Sequence, residues 1–243
     1  MTKRMVLIGG KSTTGKTASL RNINDPKGVM YLNCETGKDL PFRFPNKDEK
    51  FLSLIVTDPY QVFQALDEAE EMEEIHTVVI DTLTYLMGMF ETQYVLAAAD
   101  TQKGWGNYAE FFKKLHQYYF AKSTKSIIVL AHTADIYNKK EMVMESMVKV
   151  KGSTMNEGVE AAYSTVIATK KVAISELEKY DNPNLNISDK EKRLGYKHVF
   201  QTQITEDSIN ERIRANMGMW DDEETYIDND VQIVIDRLHE YYD

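Results

Sequence analysis

Residues 5–17 read Met5-Val6-Leu7-Ile8-Gly9-Gly10-Lys11-Ser12-Thr13-Thr14-Gly15-Lys16-Thr17. The apolar run Met5–Ile8 predicts a strand, and the residues behind it predict a loop that leads into a helix at Thr17–Asn22. Within this stretch, Gly10–Thr17 matches G-x-x-x-x-G-K-[ST], a pattern that binds nucleotide phosphates when it lies between a strand and a helix. Gly10 and Gly15 allow turns that point successive backbone N–H groups at an anion.

The side chains of this loop add a charge and a metal ligand to the anion site. Lys16 supplies a point charge for the β- and γ-phosphates, and the Thr17 hydroxyl is a ligand for Mg²⁺. The positive end of the following helix contributes to the same field. The nucleotide-binding residues that the pattern predicts are Gly10, Lys11, Ser12, Thr13, Thr14, Gly15, Lys16, Thr17 and Ala18.

Composition indicates a globular protein with one core. The chain has 243 residues, 42% of them hydrophobic, so we expect a single domain over residues 1–243. Cys34 is the only cysteine, which predicts no disulfide framework and no zinc cluster and favours a reducing cytoplasm. The apolar run that begins at Met5 leaves no room for a signal peptide, and no run reaches the roughly 18 apolar residues of a membrane span. A net charge of −9 argues against a protein that coats nucleic acid with its whole surface, but it allows local basic loops.

Short apolar runs alternate with helical segments along most of the chain. The predicted strands are Met5–Ile8, Val29–Leu32, Leu52–Val56, Val78–Ile80 and Ile127–Leu130. The predicted helices are Thr17–Asn22, Tyr60–Glu74 and Asn107–Lys122. This alternation predicts an α/β fold with a mostly parallel sheet covered by helices on both faces.

The chain beyond Leu130 has a less regular pattern. Residues 133–156 are polar and rich in methionine without periodicity, which predicts a long loop of functional importance. Val166–Ala168 predicts a strand, and Val199–Ile204 predicts a late edge strand. We expect a surface insertion over about residues 175–196 and an acidic segment with a closing helix over about residues 220–243.

A second strand ends in a carboxylate. The strand Val78–Ile80 runs into Asp81, and parallel sheets bind their ligands at the carboxyl ends of their strands. We therefore expect Asp81 to hold Mg²⁺ opposite Thr17. Because a threonine follows Asp81, the general base that orients the attacking water must come from elsewhere, and Glu35 is the leading candidate. The alternative for Glu35 is a simple ion pair with Lys38.

The order of these motifs resembles the RecA/RadA recombinase family. The resemblance rests on the phosphate loop, Asn33-Cys34-Glu35, Val78–Thr84 and Ile127–Thr133, and it covers roughly residues 4–220. The chain is most similar to the small phage-encoded RecA-like ATPases of the Sak type. The resemblance implies a RecA-like P-loop NTPase core with antiparallel late strands, ATP and Mg²⁺ as cofactors, and a water-activating role for Glu35. His132 stands where the family usually has a γ-phosphate-sensing glutamine, so a sensor role and a structural role remain open.

The family also binds single-stranded DNA through two loops at the carboxyl edge of the sheet. The first loop corresponds to Thr101–Tyr108, with Lys103 and Trp105, and the second to Tyr137–Gly158. The second loop would contribute Lys139, Lys140, Lys149 and Lys151. Cations with interleaved aromatic rings suit backbone neutralisation and base stacking. The alternative is that Trp105 packs into the core and the lysines only make the loops soluble.

The segment Glu211–Gly218 resembles an element that RecA-like ATPases insert into a neighbouring subunit's nucleotide site. Arg212 and Arg214, two residues apart on an extended segment, would point to one side and reach a γ-phosphate in trans. The resemblance thus implies a homo-oligomer, either a ring or a filament. The alternative is that both arginines pair with neighbouring acids on their own surface.

Together these features predict a DNA-stimulated ATPase that anneals or recombines single-stranded DNA in a phage context, in the host cytoplasm. A single-strand DNA-binding protein is a further candidate partner, and no membrane is expected. Two other functions remain open. One is a P-loop kinase of a small metabolite, which the absence of an arginine-rich lid before Arg193 disfavours. The other is a regulatory ATP-binding module that acts through protein partners.

Overall fold

The phosphate-loop stretch begins with a central strand of the sheet in a computed structural model, which describes residues 5–46, 48–153 and 158–242. The described strands are β1 (Met5–Gly10), β2 (Val29–Asn33), β3 (Leu52–Ile55), β4 (Thr77–Asp81), β5 (Ser126–Asn138), β6 (Val143–Val148), β7 (Thr165–Ala173), β8 (Tyr196–Gln201) and β9 (Tyr226–Asp228). The described α-helices are α1 (Gln61–Glu71), α2 (Leu83–Phe90), α3 (Thr101–Lys114), α4 (Ile174–Leu177), α5 (Asp189–Leu194) and α6 (Val231–Tyr242).

The sheet has the strand order β3-β2-β4-β5-β1-β7-β8-β9. Every pair from β3 to β7 is parallel, whereas β8 and β9 are added antiparallel. The predicted α/β class, with a mostly parallel sheet and antiparallel late strands, is confirmed. Because β5 lies between β1 and β4, the ends of these three strands bring Gly10, His132 and Asp81 to one edge of the sheet.

Helices and loops cover the sheet on two faces, as expected for strands that are apolar along their whole length. One core cluster contains α1, α2 and α3 side chains, among them Leu66, Phe90 and Phe111. The other contains Leu20 behind the phosphate loop and Val234 of α6. None of the helices in the described ranges has the length and apolar character to cross a bilayer.

The long loop expected over residues 133–156 is largely a β-hairpin. Strand β5 continues to Asn138 and turns back through β6, with Thr133 paired to Val148 and Asn138 to Val143. The outer half of β5 is only partly buried, so its side chains carry no apolar alternation that the sequence could reveal. Residues 154–157 of the predicted second DNA loop lie outside the described residues.

Three further expectations need correction. Thr101–Tyr108 is not a loop but the start of α3, because Asp100 accepts a hydrogen bond from the Lys103 backbone N–H at 3.0 Å and so begins the helix. Strand β8 is not an edge strand, since β9 pairs with it. The insertion is not confined to the surface, because Tyr180, Leu185 and Ile187 pack against a small core of their own around Leu177.

Candidate active site

The phosphate loop surrounds a buried lysine. Lys16 is 6% exposed, and its Nζ donates hydrogen bonds to the carbonyl oxygens of Gly10 and Lys11 at 2.9 Å and to Nδ1 of His132 at 3.2 Å. Burial lowers the Lys16 pKa to about 8, against the charges of Asp81 and Glu35, which raise it. The ammonium group therefore has a partner for each of its three donors and is held beside the carbonyls of the phosphate loop.

Gly15 gives the loop a conformation that other residues rarely adopt. Its φ is +105°, and a Cβ there would lie 2.9 Å from Oδ1 of Asn229. The residues that follow, Thr17–Asn22, form a short 3₁₀ helix, so the predicted helix is present but tighter than an α-helix.

The two predicted metal ligands are in direct contact. Oγ1 of Thr17 donates to Oδ2 of Asp81 at 2.7 Å, and the Tyr31 hydroxyl donates to the same oxygen at 2.7 Å. The other carboxylate oxygen, Oδ1, is buried and has no hydrogen-bond partner within the described ranges. Burial raises the Asp81 pKa, although the hydrogen bonds from Thr17 and Tyr31 oppose that effect.

This arrangement fits a magnesium ion shared with a nucleotide. In the part of the chain that the structure describes, no group of three or more His, Cys, Asp or Glu side chains could hold a metal by itself. Mg²⁺ is commonly held by one or two protein oxygens together with substrate phosphates and water. The unpaired Oδ1 of Asp81 and the hydroxyl of Thr17 are oxygens of this kind.

A hydrogen-bonded chain links Lys16 to the predicted base. Because the Lys16 ammonium can only donate, Nδ1 of His132 accepts and its Nε2–H donates to Oε1 of Glu35 at 2.9 Å. Lys38 donates to the other oxygen, Oε2, at 2.7 Å. Burial favours the protonated acid, but the hydrogen bonds from Lys38 and His132 outweigh it and lower the Glu35 pKa. Glu35 therefore forms the ion pair with Lys38 that was the alternative interpretation, together with a contact to His132, and its role as the base stays a prediction.

The turn after β2 positions Glu35. Oδ1 of Asn33 accepts from the Glu35 backbone N–H at 3.1 Å, and Nδ2 of Asn33 donates to the Lys38 carbonyl at 2.9 Å. The Cys34 backbone N–H donates to the Asp81 carbonyl at 2.7 Å. The turn is thus tied to the end of β4, which fixes the base relative to the metal ligands.

These groups border a cavity of about 580 Å³ that we call the nucleotide cavity. Its lining includes residues of the phosphate loop and the contacting side chains of Glu35, Lys38 and His132. Residues from later parts of the chain also line it, together with Arg21: Glu191, Lys197, His198 and Asn229. Sequence reasoning missed Tyr31, His198 and Asn229. No motif marks them, and only the strand order brings Tyr31 to Asp81 and brings His198 and Asn229 to the phosphate loop.

A second depression, the α2 groove, shares Ser12 and His132 with the nucleotide cavity. Its volume is about 800 Å³. It is lined by Ser12, Cys34, Thr36, Thr84, Tyr85, Gly88, Met89, Glu91, Thr92, Gln93, Tyr108, His132, Thr133, Ala134, Lys149, Val150 and Lys151. Of the predicted DNA-binding lysines, Lys149 and Lys151 lie here, and Lys139 and Lys140 are exposed at the turn of the β5–β6 hairpin.

Of the residues predicted for the first DNA loop, Tyr108 lines this groove, but Lys103 and Trp105 do not. Lys103 and Trp105 lie on α3, and the Trp105 ring packs edge-on against Tyr108 with 5.4 Å between ring centroids. Trp105 also contacts Gly152 and is partly buried against the main core. Trp105 thus packs against the core, as the alternative interpretation expects, while part of it stays exposed, and its role in DNA binding stays a prediction.

The two predicted trans arginines face different surroundings. Arg212 forms ion pairs with Glu145 at 3.1 Å and Glu160 at 3.5 Å within its own chain, so the alternative of pairing with neighbouring acids holds for it. Arg214 is exposed, and its backbone pairs with Val166 of β7. The two side chains line separate cavities, so the expectation that they point to one side is wrong.

The parallel sheet, the phosphate loop behind β1 and the Thr17–Asp81 contact at the end of β4 define a P-loop nucleoside triphosphatase. Comparison with family models gives the narrower assignment. Residues 2–183 match AAA_24, described as an AAA domain, and the chain belongs to this family. It is therefore an ATPase-type protein, and the family generally uses ATP and Mg²⁺. No curated protein matches the chain.

Proposed function

We propose that this protein is a RecA-like ATPase that hydrolyses ATP and binds single-stranded DNA, acting in annealing or recombination in a phage context. One observation carries the proposal. The Lys149 backbone N–H donates to the His132 carbonyl at 2.8 Å, so the cationic wall of the α2 groove is bonded to the residue that contacts both Lys16 and Glu35.

The site residues have the properties that hydrolysis requires. Glu35 is ionised and borders the cavity, which suits a base that orients water for in-line attack on the γ-phosphate. Lys16 neutralises phosphate charge, and Thr17 with Asp81 would hold Mg²⁺. When bound, the metal ion would stabilise charge on the phosphate oxygens.

The α2 groove combines cations with an aromatic ring. Lys149 is exposed, and Lys151 is anchored by Glu91 at 2.8 Å. The Tyr85 ring is 42% exposed and lies edge-on to His132, with 5.8 Å between ring centroids. Cations beside an exposed ring suit a strand whose phosphates are neutralised while its bases stack.

Tyr85 also connects the α2 groove to Glu35, the proposed catalytic base. Nζ of Lys38 lies 5.6 Å from the centre of the Tyr85 ring while the same lysine binds Glu35. Lys38 and His132 both donate hydrogen bonds to Glu35, and both lie beside the Tyr85 ring. A nucleic-acid base stacked on Tyr85 would therefore contact a ring that lies against both of these groups. This supports an ATPase rate that depends on DNA.

We further propose head-to-tail assembly in a ring or filament, with Arg214 as the arginine that enters a neighbour's site. Arg214 is exposed, whereas Arg212 is committed to Glu145 and Glu160. An arginine supplied in trans stabilises transition-state charge, so hydrolysis would require the oligomer. A single-strand DNA-binding protein is a further proposed partner, and we propose a cytoplasmic location.

The test is ATPase activity with and without single-stranded DNA, together with DNA affinity, for the wild type, Lys149→Glu and the control Lys27→Glu. Lys27 is exposed beside the start of β2, at the opposite edge of the sheet. We expect DNA to raise the rate, and Lys149→Glu to weaken DNA binding about tenfold or more and to reduce its salt dependence. Lys27→Glu should match the wild type.

Other results would refute the proposal. Phosphate transfer to a small metabolite at a rate indifferent to DNA would identify a kinase. ATP binding without measurable turnover, with or without DNA, would identify a regulatory module.

A further inference from the structure

The late strands contribute side chains to the wall of the nucleotide cavity. His198 lies on β8 and Asn229 directly follows β9, and both side chains approach Gly15 of the phosphate loop. We propose that His198 and Asn229 form a base-recognition site that selects adenine over guanine. This inference rests on the proposed nucleotide binding and extends it to a choice of base.

The positions of Lys16 and Glu35 indicate where the base of a bound nucleotide would lie. Lys16 and Thr17 are the phosphate-binding residues of the proposed site, and His132 and Glu35 form a hydrogen-bonded chain that starts at Lys16. His198 and Asn229 instead approach Thr14 and Gly15, earlier in the loop. A nucleotide with its terminal phosphate beside Glu35 would direct its base away from that chain, toward the other residues that line the cavity, among them His198 and Asn229.

His198 presents an acceptor to the cavity. Its Nδ1 lies 2.8 Å from the Thr14 carbonyl oxygen. A carbonyl oxygen only accepts, so Nδ1 carries the hydrogen, and in the neutral ring Nε2 is left as a bare acceptor. The contact with the phosphate loop therefore fixes the tautomer.

Asn229 supplies a polar group that lacks a partner. It is 4% exposed, and its Nδ2 is buried without a hydrogen bond to any residue in the described ranges. Its backbone is held in place by Arg21, which donates to the Asn229 carbonyl at 2.7 Å. Buried amides are normally satisfied, so an unpaired one on the wall of a ligand cavity indicates that the ligand completes it.

The charged side chains next to His198 and Asn229 already have partners within the protein. Lys197 pairs with Glu191 at 2.7 Å and with Asp228 at 3.1 Å, so these three groups satisfy one another. Arg21 uses Nη1 on the backbone carbonyls of Ala18 at 3.0 Å and Asn229 at 2.7 Å. Asn229 and His198 are then the uncharged side chains of this wall that can read a base edge.

The chemistry of the two groups fits adenine. Adenine presents an amino donor beside a ring-nitrogen acceptor, and an asparagine amide matches that pair with its own acceptor and donor. The bare Nε2 of His198 accepts from the same amino group. Guanine carries a carbonyl oxygen in place of the amino group, so it would set an acceptor against the His198 acceptor.

The test is calorimetric titration with ATP, GTP and inorganic tripolyphosphate, carried out on the wild type, Asn229→Ala, His198→Phe and Lys16→Ala. We expect the wild type to bind ATP at least tenfold more tightly than GTP. Asn229→Ala and His198→Phe should bring that ratio toward one by weakening ATP binding. Because both variants also lose a contact to the phosphate loop, their tripolyphosphate and GTP binding should weaken by the same factor, and only ATP should show the additional loss; Lys16→Ala should lose all three ligands.

Equal affinity of the wild type for ATP and GTP would overturn the base site and leave nucleotide binding intact. An unchanged ratio in both cavity variants would also overturn it. If the wild type binds none of the three ligands, nucleotide binding itself fails, and the base site fails with it.

Discussion

Acidification should destabilise the fold through one buried histidine. His116 follows α3 and is 8% exposed. Its Nδ1–H donates to the Phe112 carbonyl at 2.9 Å, so its Nε2 accepts from the Tyr163 hydroxyl at 2.7 Å. In this neutral form both ring nitrogens are satisfied. Burial lowers the His116 pKa to about 4, although the Phe112 carbonyl favours the charged ring.

The sign and size of the effect follow from this pKa. The unfolded chain takes up a proton near pH 6.5 and the folded chain only near pH 4, so stability falls as pH falls between these values. The loss should be about 2 kcal/mol at pH 5 and roughly 3 kcal/mol below pH 4. Above pH 6.5 this histidine contributes no pH dependence.

The assay is urea unfolding at pH 7, 6 and 5, followed by tryptophan fluorescence, for the wild type and His116→Gln. A glutamine amide can donate to the Phe112 carbonyl and accept from Tyr163, but it does not titrate. The unfolding free energy of the wild type should therefore fall about 2 kcal/mol further than that of His116→Gln between pH 7 and pH 5. Equal losses in the two proteins would refute the reasoning.

Three other predictions concern the site. Glu35→Gln should lower ATP turnover about 10²-fold or more while ATP affinity stays within a few-fold, and retained turnover would place the base elsewhere. Arg212→Ala should lower the unfolding free energy by about 2 kcal/mol in a urea titration, because Glu160 is buried and loses its cation, whereas exposed Arg214→Ala should change it little. Mixing Arg214→Ala protein with Lys16→Ala protein should restore part of the ATPase rate, and a proven mixed oligomer without rescue would exclude a trans arginine.

The elements that the sequence predicts well are those whose signal is local. Gly10–Thr17 is contiguous, and its glycines, lysine and threonine act within one turn of the chain. Strands β1, β2 and β4 are buried on both faces, so each is an uninterrupted apolar run. Asp81 could be placed because its strand ends at the edge where β1 also ends.

The glycines of α3 show why the first DNA loop was misplaced. In the sequence, two glycines on either side of a tryptophan, Gly104 and Gly106, suggest a flexible loop. In the structure, Gly104 is part of helix α3. A Cβ at this position would lie 2.9 Å from the Val95 Cα. The glycine is needed for close packing between α3 and the preceding turn, and composition alone cannot distinguish that role from flexibility.

Contacts between distant parts of the chain account for the missed site residues. Tyr31 reaches Asp81 because β2 and β4 are neighbours, with Asn33 level with Asp81. From the sequence alone, Tyr31 cannot be distinguished from any other tyrosine in a strand, because its contact with Asp81 follows only from the strand order. The β5–β6 hairpin escaped prediction for a related reason, since its strands satisfy their backbone groups without burying a full apolar face.

The late strands are part of the nucleotide site rather than an addition to it. The match to the AAA domain ends at residue 183, but the phosphate loop is held from beyond that point. His198 bonds the Thr14 carbonyl, Asn229 packs against Gly15, and Arg21 bonds the Asn229 backbone. A loop with two glycines has many conformations to lose, and these contacts restrict them before a nucleotide binds. The motif therefore provides the chemistry of phosphate binding, while β8 and β9 determine the shape in which that chemistry is presented.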